Sequence, residues 1–161
     1  LSGTSDESPN NRVVDHILLN EYIVVVSKDN FKYELAIYGP DEYTETKITM
    51  KDIETLYDAY NPEILLINRC EGADISDLVV HFRCIKCLVE TFDSLFSFNL
   101  THVRHLTLIY NFDPKRLYNF KDLNLSEGVK IDVVISPGCI TDDVISLLKE
   151  LKHIYKRVTV D

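Results

Sequence analysis

Histidine and cysteine recur at a spacing of three in one segment of the sequence, a pattern that a metal site could use. The residues are His81, Cys84 and Cys87, and Cys70 lies upstream of them. Zinc requires thiolate and imidazole ligands that converge on it in a tetrahedral arrangement. The segment is predicted to be helical, and on a helix side chains spaced by three fan out around the axis. We therefore expect no metal ion here, and nothing else in the sequence predicts a cofactor.

The segment from Ser136 to Cys139 carries residue types that can act as nucleophiles. It follows a predicted strand and precedes a predicted helix, where α/β enzymes place catalytic loops. However, the chain has no G-x-S-x-G elbow, and none of its five histidines has an evident catalytic partner in the sequence. No catalytic residue is predicted, and the sequence favours a protein that is not an enzyme.

Phosphate-binding loops need closely spaced glycines, because their backbone N–H groups must approach the ligand. The five glycines of this chain form neither a G-x-G-x-x-G pattern nor a P-loop. In the nearest loop, residues 70–74, Glu71 and Asp74 would repel a phosphate group. Nucleotide binding by a standard loop is therefore not expected.

The first 40 residues contain the elements of a small antiparallel unit. Residues 1–12 are polar and are predicted to be a disordered lead, and an apolar run follows at 13–19. Strand-like runs at 22–26 and 33–38 flank a polar turn at 27–30. Residues 13–40 are therefore predicted to form a β-hairpin that caps the rest of a single α/β domain over 13–161.

From residue 49 to 161 the sequence predicts alternating helices and strands. Predicted helices begin near Thr49, Ser76, Asp113 and Thr141, and predicted strands occupy 63–68, 102–110, 130–135 and 157–160. The longest predicted helix follows Ser76 and carries an apolar face at Leu78, Phe82, Ile85, Val89, Phe92 and Phe96. Strands that alternate with helices are joined by crossovers and are expected to be parallel.

One predicted strand carries a repeat pattern. It reads V-R-H-L-T-L-I-Y-N and fits L-x-x-L-x-L-x-x-N at Val103, Leu106, Leu108 and Asn111. Looser copies are anchored at Leu65, Ile131 and Val158. Residues 49–161 therefore resemble the ribonuclease-inhibitor-like branch of the leucine-rich-repeat proteins. The resemblance implies a short solenoid and a non-catalytic strand face that binds another protein, as in adaptors that present substrates to ubiquitin ligases.

The spacing of the repeat leaves a second architecture open. The anchors are 41, 25 and 27 residues apart, and the first interval would need an enlarged unit. The alternative is an open Rossmann-like or flavodoxin-like sheet, with helices on both faces and a switch in strand order. The chain also ends on a predicted strand, so it could be a fragment of a longer protein.

Charge and cysteine usage limit the partners and the compartment. The net charge is −9, with a balance of −10 over residues 1–80 and +1 over 81–161. Nucleic acid is therefore not expected as a partner, and no apolar run of about 18 residues predicts a membrane span. Four cysteines are too few for a disulfide scaffold, which predicts an intracellular protein, cytoplasmic or nuclear. Glycosylation sequons at Asn99 and Asn124 would matter only in a secreted chain.

The sequence thus predicts a non-enzymatic protein-interaction or adaptor module. The alternative is an α/β enzyme or small-ligand domain that uses loops at the carboxyl ends of the strands. The expected partner is another protein, a second copy of this chain included. The binding surface is the strand face or the hairpin, and the candidate contact residues are Tyr22, Tyr33, Lys149, Lys152, Lys156 and Arg157.

Overall fold

A computed structural model describes residues 11–88, 95–110, 122–155 and 157–160. The chain opens with three antiparallel strands, β1 (Arg12–Leu19), β2 (Tyr22–Asp29) and β3 (Lys32–Tyr38). Asn20 and Asn30 form the turns with φ near 56°, a left-handed conformation that asparagine tolerates. The predicted hairpin is confirmed, and the run at 13–19 adds a third strand to it.

The rest of the described chain mixes short strands with three helices. The strands are β4 (Thr46–Lys47), β5 (Ile64–Asn68), β6 (Ala73–Asp74), β7 (Cys84–Leu88), β8 (His105–Tyr110), β9 (Lys130–Ile135) and β10 (Arg157–Val160). The helices are α1 (Glu54–Tyr60), α2 (Ser76–Val79) and α3 (Asp142–Ile154), with 3-10 turns at Met50–Ile53 and Pro137–Cys139. Among the described helices, none is long and apolar enough to cross a membrane.

Local backbone and side-chain geometry defines the helix ends, and two of the starts lie near residues that the sequence predicted, Thr49 and Thr141. The Asp52 carboxylate accepts from the Thr49 backbone N–H at 2.8 Å and from the Thr49 hydroxyl at 3.1 Å. Asn61, with φ of 46°, ends α1 in a left-handed conformation. Thr141 Oγ1 accepts from the Val144 N–H at 3.3 Å and starts α3.

Eight of the strands form one sheet in the order β1-β2-β3-β5-β7-β8-β9-β10, and β4 pairs with β6 in a separate two-stranded sheet. Within the eight-stranded sheet, β3, β5, β7, β8, β9 and β10 are parallel to one another. The strands of this sheet also lie side by side in the order in which they occur in the chain. The described sheet has no reversal of strand order, so it lacks the switch point that defines the open doubly wound alternative.

The prediction of one long helix after Ser76 is wrong. Among the described residues of this segment only α2 is α-helical, and the chain then enters β7, which pairs with β5 on one side and β8 on the other. Ile85 and Cys87 reach the core from alternate positions of this strand, so strand periodicity satisfies their burial. Residues 89–94, Asn111 and the helix predicted from Asp113 lie outside the described residues.

Apolar residues on neighbouring parallel strands form one row across the sheet, each the register partner of the next. The row consists of Leu35, Leu65, Ile85, Leu106, Ile131 and Val158, and all but the half-buried Val158 are fully buried. β7 divides the interval of 41 residues between Leu65 and Leu106 into intervals of 20 and 21. Every interval from Leu65 to Val158 is therefore between 20 and 27 residues long.

The hydrophobic core lies on one face of the sheet. Leu56 of α1, Leu78 of α2 and Val144 of α3 belong to the same buried cluster as the core row of the strands. On the other face, which we call the open face, alternate residues of β5, β7, β8 and β9 stay partly exposed. Within the described ranges, all three helices contribute to the core, and the open face is the free surface of the sheet.

Candidate functional site

The strand register sorts the open face into three rows that run across the strands. The apolar row, at the carboxyl ends of the parallel strands, is Leu18, Ile23, Tyr38, Asn68, Leu88, Ile109 and Val134. The middle row is Val25, Ala36, Leu66, Lys86, Thr107, Asp132 and Thr159. The polar row, at the amino ends, is Ser27, Glu34, Ile64, Cys84, His105, Lys130 and Arg157. The face is therefore apolar at one end of the strands and charged at the other.

The apolar row is exposed where it reaches both sides of the sheet. Leu18 is 69% exposed, Ile23 44% and Val134 38%. Asn68 is its one amide side chain, and its buried Oδ1 accepts no hydrogen bond from the described residues. Leu18 and Ile23 are register partners, so they form an exposed apolar patch of the kind that binding sites use, and Val134 lies at the other side of the sheet.

Asp132, in the middle row, is the centre of a hydrogen-bonded group that extends into the polar row. His105 Nε2 lies 2.5 Å from Asp132 Oδ2, the Thr159 hydroxyl donates to Oδ1, and Lys130 Nζ lies 4.0 Å from Oδ2. Burial raises the pKa of the Asp132 carboxyl group, but hydrogen bonds from Thr159 and His105 and the charges of His105 and Lys130 lower it, and the net shift is downward. Asp132 is thus held as a carboxylate that fixes the orientation of the His105 ring.

Lys86 and Glu34 form a second charged contact on the open face. Lys86 Nζ lies 3.1 Å from Glu34 Oε1, although β5 separates the two strands that carry them. The Glu34 side chain is 15% exposed and the Lys86 side chain 34%. The contact therefore ties the antiparallel part of the sheet to the parallel part.

A shallow cleft of about 150 Å³ lies beside these charges, with Cys84, Lys86, His105 and Thr107 among its lining residues. Cys84 and His105 are register partners, and His105 contacts Asp132, so the residue types of a thiol nucleophile, a base and an orienting acid are adjacent. Among the described contacts, however, no hydrogen bond joins the Cys84 thiol to the His105 ring. The structure thus shows the residue types of a nucleophilic site without its assembled geometry.

The cysteine and histidine spacing does not produce a metal site. Cys84 lies on the open face and Cys87 is buried in the core, so the two thiols point to opposite sides of β7. The described residues contain no group of three side chains that could hold a metal ion. Cys139, in the segment from Ser136 to Cys139 that could have carried a nucleophile, is only 7% exposed and is therefore not an accessible nucleophile in this conformation.

The two predicted contact tyrosines lie on the core side. Tyr22 is 1% exposed and its hydroxyl donates to the Thr44 carbonyl at 3.1 Å, so it is a core residue and not the surface anchor that we expected. Tyr33 is half-buried, and its ring packs against that of Tyr60 with centroids 5.4 Å apart. A Tyr side chain in a strand can face either side, and only the register decides which.

The predicted basic cluster is divided between two surfaces. Lys149 and Lys152 are exposed on α3, which packs on the core side through Val144 and Leu151. Arg157 is exposed in the polar row of the open face, and Lys156 lies outside the described residues. Only Arg157 of this cluster thus belongs to the open face.

Sequence reasoning missed His105 and Asp132, the best-defined polar pair of the open face. The signal was present, because the residues lie next to the repeat anchors Leu106 and Ile131. Aligning the anchors places positions one before and one after them on the same face of adjacent strands. Comparison with protein-family models, curated proteins and solved structures gives no match for this chain.

Proposed function

We propose that this chain is a protein-interaction or adaptor module, a short solenoid resembling the leucine-rich-repeat proteins, that binds a partner protein on its open face. Three features of the described sheet support the solenoid. Its strands lie in chain order, its core row recurs at intervals of 20, 21, 25 and 27 residues, and its core lies on one side. Repeat proteins of this type leave one strand face available for binding.

The apolar row is the observation that carries the proposal. It crosses seven strands, which at a spacing of about 4.8 Å gives a length of about 29 Å. Burial of exposed side chains such as Leu18, Ile23 and Val134 would stabilise a complex by about 25 cal/mol per Å² of apolar area, before the costs of association. The row therefore offers an elongated apolar contact and not a small pocket.

The charges of the open face indicate the chemistry of the partner. Near β8 to β10 the polar row carries His105, Lys130 and Arg157, and the carboxylate of Asp132 beside them already contacts His105. A fitting partner therefore presents an apolar strip flanked on one side by acidic groups. The acidic first half of a second copy would be one such surface, and self-association is a measurable outcome of the test below.

Site-specific crosslinking followed by reconstitution tests the proposal. A photoreactive amino acid at position 134 should capture a partner in cells. The same residue at position 31 should not, because Phe31, although 95% exposed, lies on the turn between β2 and β3 and not in the apolar row. With the captured protein purified, Ile23→Glu and Val134→Glu should each weaken binding about tenfold, because each would place a charge in an apolar contact that excludes water. Phe31→Glu is the matched control and should change the affinity less than about twofold.

Two results would contradict this placement of the surface. One is capture from position 31 with the same product as from position 134. The other is an affinity that Ile23→Glu and Val134→Glu leave unchanged while circular dichroism shows both variants folded. Sedimentation of the purified chain separates self-association from binding of a different protein.

One observation favours a second candidate function, an α/β enzyme. The observation is the cleft that Cys84 and His105 line. This cleft lies at the amino ends of the strands, whereas the enzyme predicted from the sequence would use loops at the carboxyl ends. If His105 activated the thiol, alkylation of Cys84 would be fast below pH 7 and would slow in His105→Gln. For a binding module we expect His105→Gln to leave the alkylation rate of Cys84 unchanged at every pH tested.

We also propose an intracellular location, cytoplasmic or nuclear. The support is that none of the four cysteines forms a disulfide. Expression of the full natural chain in its own cells followed by endoglycosidase treatment tests this. We expect no mobility shift, and a shift that disappears on Asn99→Gln and Asn124→Gln would contradict the location.

A further inference from the structure

A second cleft, of about 420 Å³, lies at the amino ends of β7 to β10 and is lined by basic and hydroxyl side chains. Arg83, Arg104 and Arg157 supply the guanidinium groups, and Thr101 and Ser126 lie between them. The described residues that line the cleft include no Asp and no Glu. Three positive charges thus share one concave surface with no acidic side chain in its lining.

Backbone hydrogen bonds hold two of these arginines side by side. The Arg104 N–H donates to the Arg83 carbonyl at 2.8 Å, and the Lys130 N–H donates to the Arg104 carbonyl at 2.9 Å. Like charges placed opposite each other on neighbouring strands destabilise a sheet. Two adjacent arginines at this edge therefore carry a cost that a bound anion would remove.

No carboxylate offsets that cost in the described structure. Arg69 shows the ordinary case, since its guanidinium lies 2.5 Å from the Asp41 carboxylate. Arg83, Arg104 and Arg157 are all exposed, and none of them makes an ion pair among the described residues. This is a concentrated positive site on a chain whose net charge is −9.

We propose that this cleft binds a phosphate monoester, and that the phosphate is carried by a phosphorylated side chain of the partner protein. A phosphate monoester brings a charge of about −1.5 to −2 and three acceptor oxygens, which suit several arginine forks better than one carboxylate does. Arg157 lines this cleft and also belongs to the polar row, so a partner on the open face reaches the phosphate site. The source of the phosphate rests on the proposed function, whereas the anion site does not.

The charge around the cleft favours a single phosphate group over a nucleic acid. A long polyanion would extend beyond the three arginines onto the second half of the chain, where acidic and basic side chains nearly balance, while a single phosphate group stays within about 8 Å of them, the screening length at physiological salt.

Gly128 provides a matched pair of variants for the test. A Cβ atom at this position would meet no atom within 4 Å, so the first atom of a side chain can be added without a clash. Gly128→Glu places a carboxylate at the mouth of the cleft, where it would compete with a bound anion. Gly128→Gln has nearly the same shape and no charge.

The experiment is an NMR titration of the purified full chain, without any partner, with inorganic phosphate, with a short phosphoserine peptide and with a 12-nucleotide single-stranded DNA at matched ionic strength. We expect the phosphoserine peptide to shift the amide signals of Arg83 and Arg104 with saturation. Gly128→Glu and Arg104→Gln should weaken binding of the peptide at least about tenfold, as expected for loss of charge-assisted hydrogen bonds. Gly128→Gln and Arg12→Gln, an exposed arginine on β1, should leave it unchanged.

Three outcomes would overturn the proposal. They are no saturable shift with phosphate or the peptide, equal binding by Gly128→Glu and Gly128→Gln, and DNA binding tighter than that of the peptide. Binding of inorganic phosphate with no preference for the peptide would keep the anion site and reject the phosphorylated partner. Because no partner is present, the result is independent of the crosslinking experiment on the open face.

Discussion

The two faces of the eight-stranded sheet come from the same strands, yet they are specified in different ways. On the core face each position needs only an apolar side chain of suitable volume, as in the row from Leu35 to Ile131. On the open face the contacts are particular, such as His105 with Asp132 and Lys86 with Glu34. The core face therefore determines the fold, and the open face is where most substitutions can change the exposed surface and leave the fold intact.

Truncation of adjacent residues on β8 separates the two faces most strongly. Leu106→Ala removes a fully buried side chain from the core row and should lower the free energy of unfolding by about 2–5 kcal/mol. Thr107→Ala, one residue along on the open face, should change it by less than about 0.5 kcal/mol. Urea denaturation measures both values, and similar losses for the two variants would contradict the one-sided core.

Asp132 should give the open face its largest stability effect. Because the pKa of Asp132 is lower in the folded chain, its carboxylate stabilises the fold above the unfolded value of about 3.9, and this contribution is lost as the pH falls through the folded value. Asp132→Asn should therefore cost about 1–3 kcal/mol at pH 7 and progressively less toward pH 3. Urea denaturation at pH 7, 5 and 3 tests this, with Asp58→Asn on the exposed side of α1 as the control.

The alkylation rates of the four cysteines distinguish the open face from the core. Cys84 on the open face is half-buried, whereas Cys70, Cys87 and Cys139 are buried. Burial also raises the pKa of the Cys70 thiol to about 12, with backbone hydrogen bonds acting in the opposite direction. Alkylation at pH 8, read by mass spectrometry of peptides, should modify Cys84 at least about tenfold faster than the others. Faster modification of Cys87 would contradict this orientation of β7, because it would mean that Cys87 and not Cys84 lies on the open face.

The ion pair of Lys86 and Glu34 should have the smallest effect. Their side chains are partly exposed, so a double-mutant cycle with Lys86→Met and Glu34→Gln should give a coupling energy below about 1 kcal/mol. A coupling of several kcal/mol would mean that polar contacts on the open face contribute to the fold as strongly as core contacts do.

Local signals in the sequence predicted much of the fold. Thr141 and the apolar residues after it located α3, and alternating apolar residues located β8, β9 and β10. The sequence failed at β7, because the spacing of Leu78, Phe82 and Ile85 also fits a helix, and strand pairing on both sides outweighed it. Strand register is a property of the assembled sheet, so a short segment of sequence does not reveal which strands will pair.

The candidate site was less predictable for the same reason. The residues of the His105 and Asp132 pair are 27 positions apart, and each alone has an unremarkable neighbourhood in the sequence. Tyr22 was predicted on the surface from its residue type, but its place in β2 turns it into the core. Arg157 was singled out correctly as an exposed basic residue, but its association with Arg83 and Arg104 arises only when their strands align.

The order of the strands has a consequence for how cooperatively the chain unfolds. In the main sheet each described strand between the two edges pairs with two neighbours, so the free energy of the stack is close to a sum of nearest-neighbour terms. A disturbance at β1 has to pass through six intervening strands before it affects β10. Hydrogen exchange should therefore be fastest at the two edge strands and slowest at the central strands β5 and β7, because the sheet opens from its edges.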